Sequence, residues 1–215
     1  MNELQQQTIE SYNKSAGTFA DSIAKLKNYH HTYDFLIGGL PEPCDILDLA
    51  CGPAQISQYI RERIAAKIVG VDLSHGMLNI ARKAIPDGEF VQHSIIDYYD
   101  ERQYDAVIIG FGIPYLDTEQ MERCLANACR LVKREKYLYV SFMQGNQSRI
   151  EKTSFGGSNE FLIFYHDKET VKNILTNNGM SVAQEFALDY HEPDGSVTTD
   201  VVYIAKRSEK YVSDT

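Results

Sequence analysis

The chain has 215 residues, a net charge of -9, 43% hydrophobic and 24% charged residues. This balance excludes a disordered chain, and the length suits one domain of roughly 100–250 residues. The acid excess disfavours a surface that works by neutralising phosphates, and no apolar run approaches the ~18 residues of a membrane span.

The N-terminus, MNELQQQ, is polar and lacks the basic and apolar regions of a secretory leader, so a soluble, cytoplasmic protein is expected. Leu4, Ile9, Tyr12, Ala16 and Phe19 recur at helical spacing. A second helix is predicted over about 19–36, ended by Gly38 and Gly39 and then by Pro41 and Pro43. Apolar runs then alternate with amphipathic stretches. Strands are predicted at 45–50, 67–71, 90–92, 104–109 and 137–142. Helices are predicted at 55–63, at 74–84 with Ser74 as cap, and at 118–132 with Thr118 as a possible cap. Such alternation requires right-handed crossovers and gives a parallel sheet covered on both faces. Arg130, Lys133, Arg134 and Lys136 fall at the predicted end of that last helix, where cations complement the macrodipole.

Residues 144–158 are polar and contain Gly145, Gly156 and Gly157, which predicts a mobile loop. A helix capped by Asp167 and stopped by Gly179 follows. Strands at 180–189 and 198–205 flank HEPDG (191–195), turn chemistry that predicts an antiparallel hairpin. The expected plan is one domain over 1–215: a helical cap (1–40), a core (44–143), a loop or lid (144–166), and a C-terminal helix with hairpin (167–207). Cys44, Cys51, Cys124 and Cys129 form no C-x-x-C pair and have no histidine at zinc spacing, so no metal site is expected.

The chemistry concentrates at the strand ends, where open α/β sheets bind ligands. The first strand ends in DLACGPA (48–54), and Asp72 closes the second strand about twenty residues after Gly52, the spacing of a ribose-binding acid. A nicotinamide enzyme shares that plan, but its G-x-G-x-x-G turn is absent here. Asp48 just before the turn would repel a pyrophosphate and attract an ammonium or sulfonium group. An α/β turn with no bound nucleotide is the plainer alternative.

DLACGPA resembles the first signature of class I S-adenosylmethionine-dependent methyltransferases. VGVDLS (69–74) with Met77 and Leu78, GEFVQHSI (88–95) and YDAVIIGFG (104–112) resemble the second, third and fourth, and VIIGFG is most similar to quinone-biosynthesis members. The resemblance implies a Rossmann-like, doubly wound, mostly parallel seven-stranded sheet with an antiparallel C-terminal hairpin and N-terminal helices as a cap. It also implies methyl transfer from S-adenosyl-L-methionine to an O, N or C nucleophile of a small-molecule substrate, by a monomer or homodimer without nucleic-acid or membrane partners. A catalytically silent cofactor-binding module and an NAD-dependent oxidoreductase are the alternatives.

By the same resemblance, Asp48, Ala50 and Gly52 would line the methionine end. Asp72 would bind the ribose, with Leu73 and Met77 against the sugar or adenine. Ser94 and Ile95 would meet the adenine, and Gly110 and Phe111 would present backbone near the amino group. Tyr12, in YNKSA (12–16), would close over the carboxylate. Ser94 stands where Asp is common, Pro53 removes an N–H, Ala54 replaces a glycine, and the Arg-Asn pair of quinone enzymes is missing after Gly112. Methyl transfer mainly needs an aligned nucleophile, and a base only where the acceptor's proton is held tightly. Tyr115 and His166 are the catalytic candidates, with His30, His31 and His191 also near the expected mouth. For each histidine, a surface or hydrogen-bonded core position is the plainer alternative.

Overall fold

A computed structural model describes residues 3–152, 160–191 and 197–209. Two helices, α1 (Glu3–Ile23) and α2 (His30–Gly38), precede the alternating part. The boundary expected near residue 19 lies later. α1 runs on to Ile23, and its last turn tightens through Leu26 N–H bonding the Ile23 carbonyl. The chain breaks because Tyr29 is held elsewhere, buried with its hydroxyl donating to Asp200 Oδ2 at 2.5 Å.

The strands β1 (Cys44–Leu49), β2 (Ala66–Asp72), β3 (Glu89–Gln92), β4 (Tyr104–Gly110) and β5 (Val132–Met143) are mutually parallel. The hairpin β8 (Met180–His191) and β9 (Val197–Arg207) adds an antiparallel edge, giving the order β3-β2-β1-β4-β5-β9-β8. This is the seven-stranded, doubly wound sheet expected. Residues 192–196, most of the predicted turn, lie outside the described part. Helices α3 (Gln55–Arg61), α4 (His75–Ala84), α5 (Thr118–Leu131) and α6 (Lys168–Asn177) cover the sheet.

Strand alternation sorts β1 between two cores. Leu47 and Leu49 join Val107, Ile109, Leu125 and Phe142 on one face, and Ile46 joins Ile60, Ala81, Ile108 and Tyr139 on the other. Asp48 follows Ile46 two positions on and faces α3, where Ser57 meets it. Burial on both faces is why these strands read as near-continuous apolar runs.

Three expectations are corrected. Asp117, not Thr118, caps α5. Its carboxylate accepts from Gln120 N–H at 2.9 Å while Gln120 Oε1 accepts from Asp117 N–H, a reciprocal capping box. Of the basic cluster only Arg130 sits in the helix. Lys133, Arg134 and Lys136 lie on β5, and Lys133 bridges Asp45 and Asp105 at 3.0 and 2.8 Å. The loop expected at 144–158 instead contains β6 (Ser148–Lys152), paired antiparallel with β7 (Glu160–Phe164). Alternating Phe161, Ile163 and Tyr165 bury one face of that ribbon beside Tyr12, Tyr115 and Met143, and this burial supports the pairing. Residues 153–159 lie outside the described part. No helix among the described residues is long and apolar enough to cross a membrane.

Candidate active site

A cavity of about 790 Å³ opens at the carboxyl ends of β1, β2 and β4 and is roofed by α1 and α2. Its lining brings together Tyr12, Asp48, Ala50, Gly52, Asp72, Leu73, Met77, Ser94, Ile95, Gly110, Phe111 and Tyr115. These are the sequence candidates apart from His166.

The turn after β1 is built from unusual backbone. Ala50, Gly52 and Ala54 have φ of 59°, 53° and 65°. Two alanines in the left-handed region each cost on the order of 1–2 kcal/mol, a cost typically met at ligand sites. The turn aims the Gly52 N–H at Asp72 Oδ2, 2.9 Å away, while Ser74 N–H donates to Asp72 Oδ1 at 2.7 Å. A β-carbon on Gly52 would meet nothing within 4 Å, so open space faces this backbone. Burial raises the Asp72 carboxyl above its ordinary range, and the N–H groups of Ser74, Gly52 and Leu73 oppose that shift.

Asp48 is buried at the floor of the cavity, 2% exposed. Burial pushes its pKa up to about 7, Ser57 Oγ–H at 2.6 Å pulls it down, and the nearby Asp72 charge adds to the rise. The loop after β3 is pinned by Asn127 Nδ2–H donating to the Ile96 carbonyl at 2.6 Å, and Ser94 Oγ accepts from Ile96 N–H. Phe111, at φ 54°, donates its N–H to Ser141 Oγ at 2.9 Å and sets its ring edge-on to Tyr29.

α1 closes the top. Asn13 Oδ1 accepts from Ser74 Oγ–H at 2.7 Å and from Gly76 N–H at 3.1 Å. The Tyr12 and Tyr115 hydroxyls bond directly to each other at the cavity wall, and burial, then the Tyr115 partner, holds Tyr12 well above the ordinary phenol range.

His166 stands outside the lining. It is buried, its Nε2–H donates to the Ile113 carbonyl at 2.9 Å, and desolvation lowers its pKa, so a neutral ring supports the turn that carries Tyr115. His166 thus stands behind the turn that carries Tyr115 rather than in the lining itself. The adjacent histidines diverge as helix geometry requires: His30 lines the cavity and stacks on Tyr59 at 4.3 Å, whereas His31 packs against Phe186. Sequence reasoning missed Tyr29, Tyr33 and Tyr59, which also line the cavity. The aromatic density of NYHHTY (28–33) was the available signal.

Among the described residues no cluster of three or more His, Cys, Asp or Glu could hold a metal ion. The lining suits S-adenosylmethionine: two carboxylates for a cation-bearing nucleoside, apolar Leu73, Met77 and Ile95 for a flat base, and open space before Gly52. A pyrophosphate would meet Asp48 and, in the described lining, no Lys or Arg.

Comparison with known proteins agrees with this geometry. A family model described as a methyltransferase domain matches residues 46–135. Demethylmenaquinone methyltransferase of Thermotoga maritima is 32% identical over 102 residues, covering 46% of this chain and 43% of that protein. Trans-aconitate 2-methyltransferase of Escherichia coli is 33% identical over 72 residues, covering 33% of this chain and 29% of the relative. The matched part is thus less than half the length of either relative. In fold, the chain superposes with a TM-score of 0.71 on Burkholderia thailandensis 1,6-didemethyltoxoflavin-N1-methyltransferase, solved with that compound and S-adenosylhomocysteine. The identity is 14%, and the match covers 96% of this chain and 88% of the other. Segment 46–135 thus resembles a methyltransferase domain, and the sheet built around it shares its fold with solved S-adenosylmethionine-dependent methyltransferases.

Proposed function

We propose that this chain methylates an O, N or C nucleophile of a small molecule, with S-adenosylmethionine as donor. One observation carries the reading: four strand-end segments, reaching from Asp48 to Phe111, converge on a single cavity whose acids suit a cation. Asp72 accepts the ribose hydroxyls, Leu73 and Met77 flank the sugar and base, and Ser94 and Ile95 read the adenine. Asp48, Ala50, Gly52, Gly110 and Phe111 hold the methionine end, and Tyr12 closes over it.

When bound, the cofactor, held by Asp48, Asp72 and the Gly52 backbone, would supply a methyl group already activated on its sulfonium sulfur. The chain's own contribution is alignment and exclusion of water. Tyr115 orients the acceptor from the substrate side. His166 acts at one remove, by fixing the Ile113–Tyr115 turn. Enclosure by α1 and α2 and the acidic lining favour a small molecule over a nucleic acid.

Calorimetric titration of S-adenosylmethionine tests the proposal. Asp72→Ala removes an acceptor of charge-assisted hydrogen bonds, so a loss of about 2 kcal/mol, roughly thirty-fold in Kd, is expected. Unchanged affinity would sink the assignment.

A further inference from the structure

The cavity lining also carries residues from α1 and α2, and these are largely aromatic or apolar. Tyr12, Phe19 and Tyr115 form one wall, with Tyr12 edge-on to Phe19 at 5.3 Å and to Tyr115 at 5.8 Å. Tyr29, Tyr33 and Phe111 form the other, with Tyr29 edge-on to Phe111 at 5.3 Å. The charged residues in the described lining are all acids: Asp48, Glu62, Asp72, Asp97 and Asp117. Arg63, at the rim, is committed elsewhere: its guanidinium lies 3.3 Å over the Tyr59 ring and pairs with Glu62 at 3.6 Å and Asp34 at 3.8 Å.

An acceptor bearing a carboxylate or phosphate would have to shed its hydration here and meet like charges without a counter-ion among the described residues. A flat aromatic acceptor would find ring faces and edges on both sides, the geometry in which aromatic groups gain beyond simple burial. Resting on the methyltransferase reading above, we infer that the acceptor is a planar aromatic molecule without carboxylate or phosphate, held between the Tyr12–Tyr115 and Tyr29–Phe111 walls. The trans-aconitate relative would then differ from this chain in acceptor chemistry.

Matched acceptor pairs test this: naphthol against hydroxynaphthoate, and catechol against dihydroxybenzoate, with an aliphatic tricarboxylate as a third class. Binding is read by saturation-transfer NMR on the full chain, with and without S-adenosylhomocysteine. Turnover is read by mass spectrometry with S-adenosylmethionine. The uncharged aromatic members are expected to bind at least tenfold tighter than their carboxylated twins, and the tricarboxylate not to bind. Glu62→Lys, an exposed change at the end of α3, should narrow the gap by raising affinity for the carboxylated twins. Equal or tighter binding of the carboxylated twins, or no binding of any aromatic member, overturns the inference. Failure of the cofactor itself to bind in calorimetry strikes the methyltransferase reading instead, and the NMR comparison on the chain alone still decides this one.

Discussion

Asp48 sits buried on a central strand, with a pKa near 7 because burial outweighs the Ser57 hydrogen bond. Two opposite consequences follow for one carboxyl. Its folded pKa is raised above the unfolded value, so its contribution to stability is fully present below the unfolded pKa. That contribution is lost progressively as pH rises, until the folded group has itself ionised near 7. The rise from 3.8 to about 7 corresponds to a total on the order of 4 kcal/mol, spread between about pH 4 and pH 7. Cofactor binding runs the other way. A cationic ligand prefers the ionised carboxylate, so binding releases a proton below pH 7. S-adenosylmethionine affinity should fall about tenfold between pH 8 and pH 6, since the ionised fraction falls by about that factor. Asp48→Asn should flatten both profiles, raising the Tm of the free protein at pH 8 while weakening cofactor binding there. Thermal unfolding and calorimetry across pH 5–8.5 measure the two slopes. An affinity that stays level from pH 6 to 8 in the parent protein, or an unchanged slope in Asp48→Asn, would refute the reasoning.

Other expectations concern the roof and the sheet. In Gly76→Ala, the new β-carbon would lie 2.8 Å from the Asn13 carbonyl oxygen and 3.0 Å from its Cα, so α1 must lift from α4. Faster hydrogen exchange in α1, with the sheet's exchange unchanged, is expected, together with weaker cofactor binding; an α1 as protected as before would contradict this. Lys133→Met leaves the buried Asp105 carboxylate without its ammonium partner. A cost of about 1–2 kcal/mol, or roughly 2–8 °C in Tm, should appear with no change in cofactor affinity. His166→Phe leaves the Ile113 carbonyl without the ring N–H, so acceptor KM should rise while cofactor Kd holds. Any step from His166 in the parent's pH profile should lie below the ordinary imidazole range, because burial lowers its pKa.

The parallel sheet was legible because its signal is local and redundant. Runs such as ILDLA and AVIIG, separated by amphipathic helices and capped by Ser74 and Asp167, admit few topologies, and each strand end carries its own polar or small residue. The β6–β7 ribbon was not legible in the same way. Its glycines drew attention to a loop, while the alternation of Phe161, Ile163 and Tyr165 acquires meaning only once α1 supplies Tyr12 for them to cover. The Asp117 cap was missed for a simpler reason: Thr118 is an equally good capping type, and only the reciprocal bond with Gln120 decides between neighbours.

The site divides along the same line. Residues proposed to serve the cofactor stand at strand termini, where sheet order fixes their meeting, so chain order alone brings Asp48, Asp72, Ser94 and Phe111 together. Residues proposed to face the acceptor come from α1, α2, α3 and the Ile113–Tyr115 turn, whose positions depend on long-range contacts such as Tyr29 with Asp200 and Tyr12 with Tyr115. His166 illustrates the difference. A histidine beside the expected mouth is a sound candidate in sequence, yet its ring turns inward because the Ile113 carbonyl, a buried backbone acceptor, needs a donor. That bond places the imidazole behind the Ile113–Tyr115 turn. The acceptor half of the cavity is lined mainly by aromatic rings and acids, with His30 beside Tyr59, and its selectivity is expected to rest on shape and charge exclusion.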